Sequence, residues 1–227
     1  MSLKNISFVT AALFFFQFAT AQRNYDQNNH LGLIGGIGFF DINTSDFETE
    51  QGTGYLFAFT TRGAFYNNFD LIYGVSFIQN EIGILANNLI DPSSNFQSQY
   101  VNYTMQAVQI NLLGSFNIIN NHLSIEAGPV LNVNGKLKLD SEEFENFTVE
   151  GYDTITSGDL ENVSRVHFHV ATGITAGIEN FRLGAMYQYG VTNLFGRFNE
   201  SETLIVPEGK SFKGNTSTII LSATLYL

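Results

Sequence analysis

From His30 to the C-terminal Leu227, large apolar residues alternate with small or polar ones at a period of two. That is the signature of strands with one face in an apolar environment. Eight such stretches are predicted, at about 31–39, 55–65, 71–80, 108–116, 123–133, 166–178, 182–190 and 218–227. The second sets Tyr55, Phe57, Phe59 and Phe65 against Ala58, Thr60 and Arg62. The fourth sets Val108, Ile110, Leu112 and Phe116 against Gln109, Asn111 and Ser115. The connections alternate as well. Asn67-Asn68, Asn117–Asn121 and Glu179-Asn180 are short and Asn-rich, as hairpin turns demand, because Asn tolerates positive φ. The segments 41–53, 86–98, 140–164 and 194–214 are long. Short and long links in strict alternation are the wiring of an eight-stranded antiparallel up-and-down transmembrane β-barrel, with tight periplasmic turns and large external loops.

Periodicity does not say which face points outward, so a soluble lipocalin-like ligand-binding barrel has to be weighed. Composition decides between them. Charged residues make up 14% of the chain, against roughly 25–35% on soluble surfaces. The eight strands carry only Arg62, Asp70, Glu126, Lys136, Lys138 and Arg182 as charges. The face opposite the large side chains is rich in Gly, Ala and Ser, which suits a narrow lumen. On this reading Val108 and Gln109 sit at mid-depth and point oppositely, one to lipid and one to the lumen.

Residues 1–21 read as a signal peptide. Lys4 precedes the apolar run Ile6–Phe18, and Ala19-Thr20-Ala21 offers a small-x-small cleavage site before Gln22. Gln17 and Thr20 make the run too short to span a bilayer. The expected organisation is a signal peptide at 1–21 and a barrel domain at 22–227, located in the outer membrane. The chain's formal charge of −11 excludes nucleic acid as a natural partner, and its lack of cysteine removes disulfides, thiolate metal sites and Cys nucleophiles. The expected partners are outer-membrane lipid, lipopolysaccharide and other envelope proteins.

Val108–Leu139, VQINLLGSFNIINNHLSIEAGPVLNVNGKLKL, resembles the middle hairpin of the PorT-like outer-membrane barrel proteins of Bacteroidetes. Gly173–Leu194, with its Tyr-Gly-x-Thr-Asn-Leu ending, resembles another hairpin of that family. Asn111 stands where the family commonly carries Pro, and Leu227 where such chains usually end in an aromatic. The resemblance implies a barrel geometry more than an activity, although one member is associated with type IX protein secretion.

Three groups of residues could carry chemistry. Arg62, Glu126 and Arg182 are lumen charges near the turn end, readable as a gate or as an ion pair that plugs the barrel. His167 and His169 share the lumen face of one strand, but two ligands are too few for a zinc site and no nucleophile–base set accompanies them. The loops 41–53 and 140–164 are acidic. The first holds Asp41, Asp46, Glu48 and Glu50; the second holds Asp140, Glu142, Glu143, Glu145, Glu150, Asp153, Asp159 and Glu161. Their spacing does not match a calcium loop, and a solvated, mutually repulsive rim is expected. Asp153-Thr154-Ile155 also resembles a Bacteroidetes O-glycosylation acceptor. No motif calls for a cofactor. The expected function is non-enzymatic, structural or interaction-based, with an accessory role in a secretion or assembly complex as its most specific form; a small-solute pore is the alternative.

Overall fold

The structure is a computed structural model and describes residues 29–66, 68–88, 98–119, 122–200 and 211–227. The expected signal segment and its Ala21–Gln22 junction lie outside the described residues. Nine strands follow in order: β1 (His30–Asn43), β2 (Thr49–Tyr66), β3 (Phe69–Asn87), β4 (Ser98–Ile119), β5 (Leu123–Leu139), β6 (Thr148–Val149), β7 (Val166–Gly177), β8 (Phe181–Gly190) and β9 (Asn215–Tyr226). Eight of them close into an antiparallel barrel, because β1 pairs with both β2 and β9 and every other neighbour in the ring is sequential. β6 is a two-residue addition from the loop after β5. It pairs with the outer end of β3, where Ala86 faces Val149.

The strand interiors carry close-approach glycines on the lumen side. A Cβ on Gly74 would collide with the Phe59 carbonyl oxygen, and one on Gly128 with that of Leu112. Only a residue without a side chain lets neighbouring backbones approach this closely.

The large apolar side chains point outward across the middle of the barrel. Leu31, Phe57, Phe77, Ile110, Leu112, Phe168, Leu183 and Leu221 are all exposed. A lipocalin-like barrel would bury this face, so the soluble alternative is set aside. On β4 the outward positions from Val108 to Ile118 are Val, Ile, Leu, Gly, Phe and Ile. Ten steps of about 3.3 Å, tilted by about 40°, rise about 25 Å, the height of the apolar band of outer-membrane barrels.

Strands β1 to β5 are longer than the sequence pattern predicts, and the longest extensions lie at their loop ends. The expected loop at 41–53 is mostly strand: β1 runs to Asn43 and β2 starts at Thr49, so Asp41 and Glu50 are strand residues. β3 and β4 likewise extend to Asn87 and back to Ser98. The physical reason is an inversion of the alternation. Beyond the apolar band the outward residues become polar (Gln79 and Glu81 on β3, Gln106 and Thr104 on β4), while the inward ones become apolar (Ile82, Ile84, Val101, Tyr103). Val108 therefore sits at the outer edge of the band rather than at mid-depth; the middle of β4's band falls near Leu112.

A bulge adds a further irregularity. Met105 pairs with Leu137 and Ala107 with Asn134, so β5 advances three residues where β4 advances two. The extra residue at Gly135-Lys136 reverses the parity of the strand beyond it. Leu137 is turned into the barrel and buried, while Lys136 and Lys138 face out.

Candidate functional site: a lumen closed at both ends

At the turn end the lumen is filled by a polar network centred on Arg62 of β2. Its Nε donates to Asp70 Oδ2 at 2.8 Å and its Nη1 to Glu126 Oε1 at 3.3 Å. Its Nη2 donates to Ser115 Oγ (2.7 Å), Asn117 Oδ1 (3.0 Å) and Ser124 Oγ (3.1 Å). Arg182 of β8 joins through Ser124 Oγ at 2.8 Å and through the carbonyl and hydroxyl of Thr175, both at 3.2 Å. Thr175 Oγ1 donates to Glu126 Oε1 at 2.7 Å, and Asn117 Nδ2 to Asp70 Oδ2 at 3.0 Å. Two arginines balance two carboxylates, and all four side chains are buried. Six strands supply the members, so the network ties the ring across its own diameter.

The sequence pattern points to Arg62, Glu126 and Arg182 at one level of the lumen, and the structure adds Asp70 to them. The signal for this fourth member was present. Asp70 has the parity of Gly74 and Ser76, and in the structure it pairs with Ala64, two residues from Arg62.

Above the network comes an apolar layer of Ile72, Leu113, Val130 and Ala171, packed with Met186. Beside it lies a cavity of about 70 Å³ whose lining includes Ile72, Leu113, Ile220 and Glu126. This is room for a few water molecules. A second polar layer follows. Gln109 Nε2 reaches Asn132 Oδ1 at 3.0 Å and, on β8, Gln188 Oε1 at 3.2 Å.

His167 and His169 belong to this layer, buried with ring centroids 6.4 Å apart. His167 Nε2 lies 2.7 Å from the Ser164 carbonyl oxygen, which can only accept, so Nε2 carries the proton. Its Nδ1 sits 3.1 Å from Thr192 Oγ1, and His169 Nε2 sits 3.4 Å from Thr216 Oγ1. These contacts hold the rings within the packing of the lumen. Among the described residues, no three His, Asp or Glu side chains come together as a metal site.

The loop end is closed by an apolar cap. Inward residues of the strand extensions (Phe40, Ile42, Ile82, Ile84, Val101, Tyr103, Leu137) form one buried cluster with Val149, Ile155, Leu160 and Val163 of the 140–164 segment. Phe47, Phe195, Phe198 and Phe212 complete it. Phe195 stacks on Phe198 at 5.3 Å and Phe47 on Phe212 at 5.4 Å. Tyr103 Oη donates to the Ser157 carbonyl at 3.0 Å, and burial raises the pKa of that hydroxyl.

The expected solvated, repulsive rim at 140–164 is therefore corrected. The segment contains two 3-10 turns, Glu142–Phe144 and Ser157–Glu161, and buries its apolar residues in the cap. Its acids lie at the periphery. Glu142, Glu143, Glu145 and Asp153 are exposed; so is Asp140, which accepts from Thr104 Oγ1 at 2.8 Å. Asp159 closes a capping box with Thr156, and Glu150 accepts from Asn87 Nδ2. Thr154 is exposed, but the Ile155 beside it is buried in the cap. Apolar spacing in the segment (Phe144, Phe147, Val149, Ile155, Leu160, Val163) was the overlooked signal, since a solvated rim has no use for it.

No curated protein matches the chain in sequence. Several solved structures are similar in shape. Neisserial surface protein A shares 12% identity, with 86% of this chain and 96% of that one covered at a TM-score of 0.49. OprG from Pseudomonas aeruginosa shares 8%, covering 88% and 97% at 0.47, and Ail of Yersinia pestis shares 14%, covering 87% and 99% at 0.44. The outer membrane protein beta-barrel domain matches residues 18–196, most of the chain. With an outward apolar band, a closed ring of eight long strands and this match, the chain belongs to the family of outer-membrane β-barrel proteins and resides in the bacterial outer membrane.

Proposed function

We propose that this barrel is a non-enzymatic structural or interaction protein of the outer membrane, closed to solutes, whose folded cap is the part displayed outside the cell. The observation that carries the reading is closure at both ends. A buried ion network fills the lumen near the turns, an apolar core fills it near the loops, and the cavity between them holds only a few waters. A small-solute pore would need a continuous wet path past both. Both lumen imidazoles have a hydroxyl beside them, Thr192 at His167 and Thr216 at His169, but the rings are buried in the packing of the lumen, which supports a structural part for them. The resemblance to the PorT-like proteins supports a place beside a secretion or assembly complex. In this reading Arg62, Glu126 and Arg182 act as a structural plug, the histidines pack the lumen, and outer-leaflet lipid with its lipopolysaccharide surrounds the barrel. Cleavage between Ala21 and Gln22 gives a mature chain of 22–227, which intact mass would check.

Recording from the mature chain in planar bilayers tests closure. Folded protein is expected to give no conductance steps, and stable stepwise conductance from folded wild type would establish the pore instead. Comparison of lipid A mass between a deletion strain and its parent tests the absence of catalysis: unchanged lipid A is expected, and a missing modification would assign an enzyme.

A further inference from the structure

The rungs of the barrel climb as they pass from strand to strand. Followed once around the ring through its paired residues, Gly63 of β2 returns to β2 at Thr53, ten residues nearer the loop end. Each step in chain order therefore rises by a little more than one residue, as the tilt of barrel strands requires. Glu81 of β3, Thr104 of β4 and Lys138 of β5 share one rung, so Lys138 stands higher than Glu81. The outward β5 residues level with Glu81 are Gly135 and Lys136. Lys138 is level instead with Gly83 of β3, over which Glu50 and Tyr100 close: a Cβ on Gly83 would lie 3.2 Å and 3.3 Å from theirs.

Just above the apolar band, β4 divides this outward face into two flanks of unlike charge. Among the described residues, the β2–β3 flank carries Glu48, Glu50 and Glu81, all exposed. The β5–β7 flank carries exposed Lys136, Lys138 and Arg165, which outnumber Asp140 and Glu161. Lys136 lies 3.6 Å from Glu161 but remains about half exposed, so that pair is loose and screened by solvent. On β4 between the flanks, Gln106 is exposed, and its Nε2 donates to Gln79 Oε1 at 3.1 Å. Beside it Gly135 is exposed, with only the Gln106 carbonyl oxygen, at 3.7 Å, near the place of a Cβ.

We infer that this face docks a second copy of the chain, side by side in the membrane, about a two-fold axis that passes beside Gln106. Copies inserted in one orientation can be related by a two-fold only along the membrane normal. Such an axis keeps every height and exchanges the two flanks, so the same patch serves both copies. Glu81 then faces the partner's Lys136, with room left by the missing side chain of Gly135, and Glu50 faces the partner's Lys138. Each pair occurs twice. A simple anion or cation suits one flank and is repelled by the other, whereas a second copy brings the complementary charge to each. Below this level apolar contacts gain little, because lipid is equally apolar, so the choice of partner falls to the charges. Exposed pairs are weak singly, but four act at one interface between copies already confined to one plane and one orientation. The inference rests on the outer-membrane location and does not depend on whether the lumen conducts.

The test uses mature protein refolded into phosphatidylcholine bilayers, with folding of each variant checked first by its heat-modifiable mobility. A residue beside a two-fold axis meets its own copy, so Gln106→Cys should form a disulfide-linked dimer on oxidation. Ser217→Cys, at about the same height on β9 and opposite β4 in the ring of eight, should form much less. Association is then measured by energy transfer between donor- and acceptor-labelled copies, with dyes on Asp153→Cys of the cap, as the bilayer is diluted with lipid. Glu81→Lys makes two attractive pairs repulsive and should weaken association about tenfold, and Lys136→Glu should do the same. The double variant Glu81→Lys/Lys136→Glu restores both pairs and should associate like wild type, as should an equal mixture of the two single variants. Wild type that stays monomeric at every dilution would overturn the inference. So would equal cross-linking at 106 and 217, single variants within twofold of wild type, or an exchange that restores nothing. The planar-bilayer recordings read the closed lumen separately, so either idea can fail alone.

Discussion

Along β4, Val108, Ile110, Leu112, Phe116 and Ile118 turn outward, whereas Val101, Tyr103 and Met105 are buried. The same strand thus serves two solvents. In the membrane half the exterior is hydrocarbon, so apolar groups gain nothing by turning inward. Closure of the backbone hydrogen bonds around the ring keeps that half intact, and the small lumen can then accommodate a buried network of Arg62, Asp70, Glu126 and Arg182. In the outer half the exterior is water, and each fully buried Ile, Leu or Phe contributes about 1.5–3 kcal/mol. The extensions consequently fold like a soluble protein, with Tyr103, Leu137 and Phe195 inside and Gln106, Lys138 and Glu81 outside. The difference shows that a largely polar lumen is tolerated where lipid surrounds the strands, whereas water outside them calls for an apolar interior.

The strongest way to break the comparison is at the network. Arg62→Leu leaves Asp70 and Glu126 buried without their cation and should cost about 3–5 kcal/mol, measured by urea-dependent unfolding in bilayers of one lipid. A loss below about 1 kcal/mol would mean that water already reaches both carboxylates and that the turn end is open. Next comes the cap. Leu160→Ala should cost about 2–5 kcal/mol, but only in the outer half: added protease should cut within 140–164 while the barrel keeps its heat-modifiable mobility. Loss of the whole barrel would show that the two halves unfold as one.

The position of the boundary between them is sharpened by a pair of substitutions. Leu112→Arg places a charge near the middle of the band, at about 2–4 kcal/mol, whereas Val108→Arg at its outer edge should cost about 0–1 kcal/mol. Equal costs would move the membrane.

The smallest effect concerns pH. Tyr103 stays protonated in the folded cap because burial raises its pKa, while in the unfolded chain it ionises near pH 10. Above that pH the unfolded state binds fewer protons than the folded one. The stability Tyr103 contributes is therefore present below about pH 10 and is lost as pH rises beyond it. Cap opening, read by the same proteolysis, should steepen between about pH 9 and 11 in wild type and less so in Tyr103→Phe. An identical slope would place the hydroxyl in water.

The membrane half was legible in the sequence because lipid enforces a strict rule: eight alternating stretches, almost without charge on their large-residue face. The outer half was less so, for reasons that individual residues show. Asp41 and Glu50 looked like loop residues because acids on the outward face of a strand in water resemble acids in a loop. Phe40, Ile42, Ile82 and Ile84 continue the alternation with its sense reversed, and a pattern keyed to one sense stops there. The bulge at Gly135-Lys136 shifts parity once more, so counting from Val133 puts Leu137 on the wrong face. The cap from 140 to 164 has no period to read, since 3-10 turns and a two-residue strand are held by tertiary contacts such as Tyr103 to Ser157. Of the network, three members were visible from height and parity, and Asp70 was missed at the edge of its strand.

The central claim is that the alternation of β4 reverses its meaning between Val108 and Gln106. The chain has no cysteine, so single Cys variants at positions 101–118 can be spin-labelled without interference. Power saturation in bilayers with oxygen and with a water-soluble nickel chelate then reads the surroundings of each label. Even positions from 108 to 118 should respond to oxygen, and even positions from 102 to 106 to nickel. The odd positions 101, 103 and 105 should respond to neither. Nickel access at those three odd positions would contradict the account, because it would mean an open, water-filled mouth in place of the apolar cap.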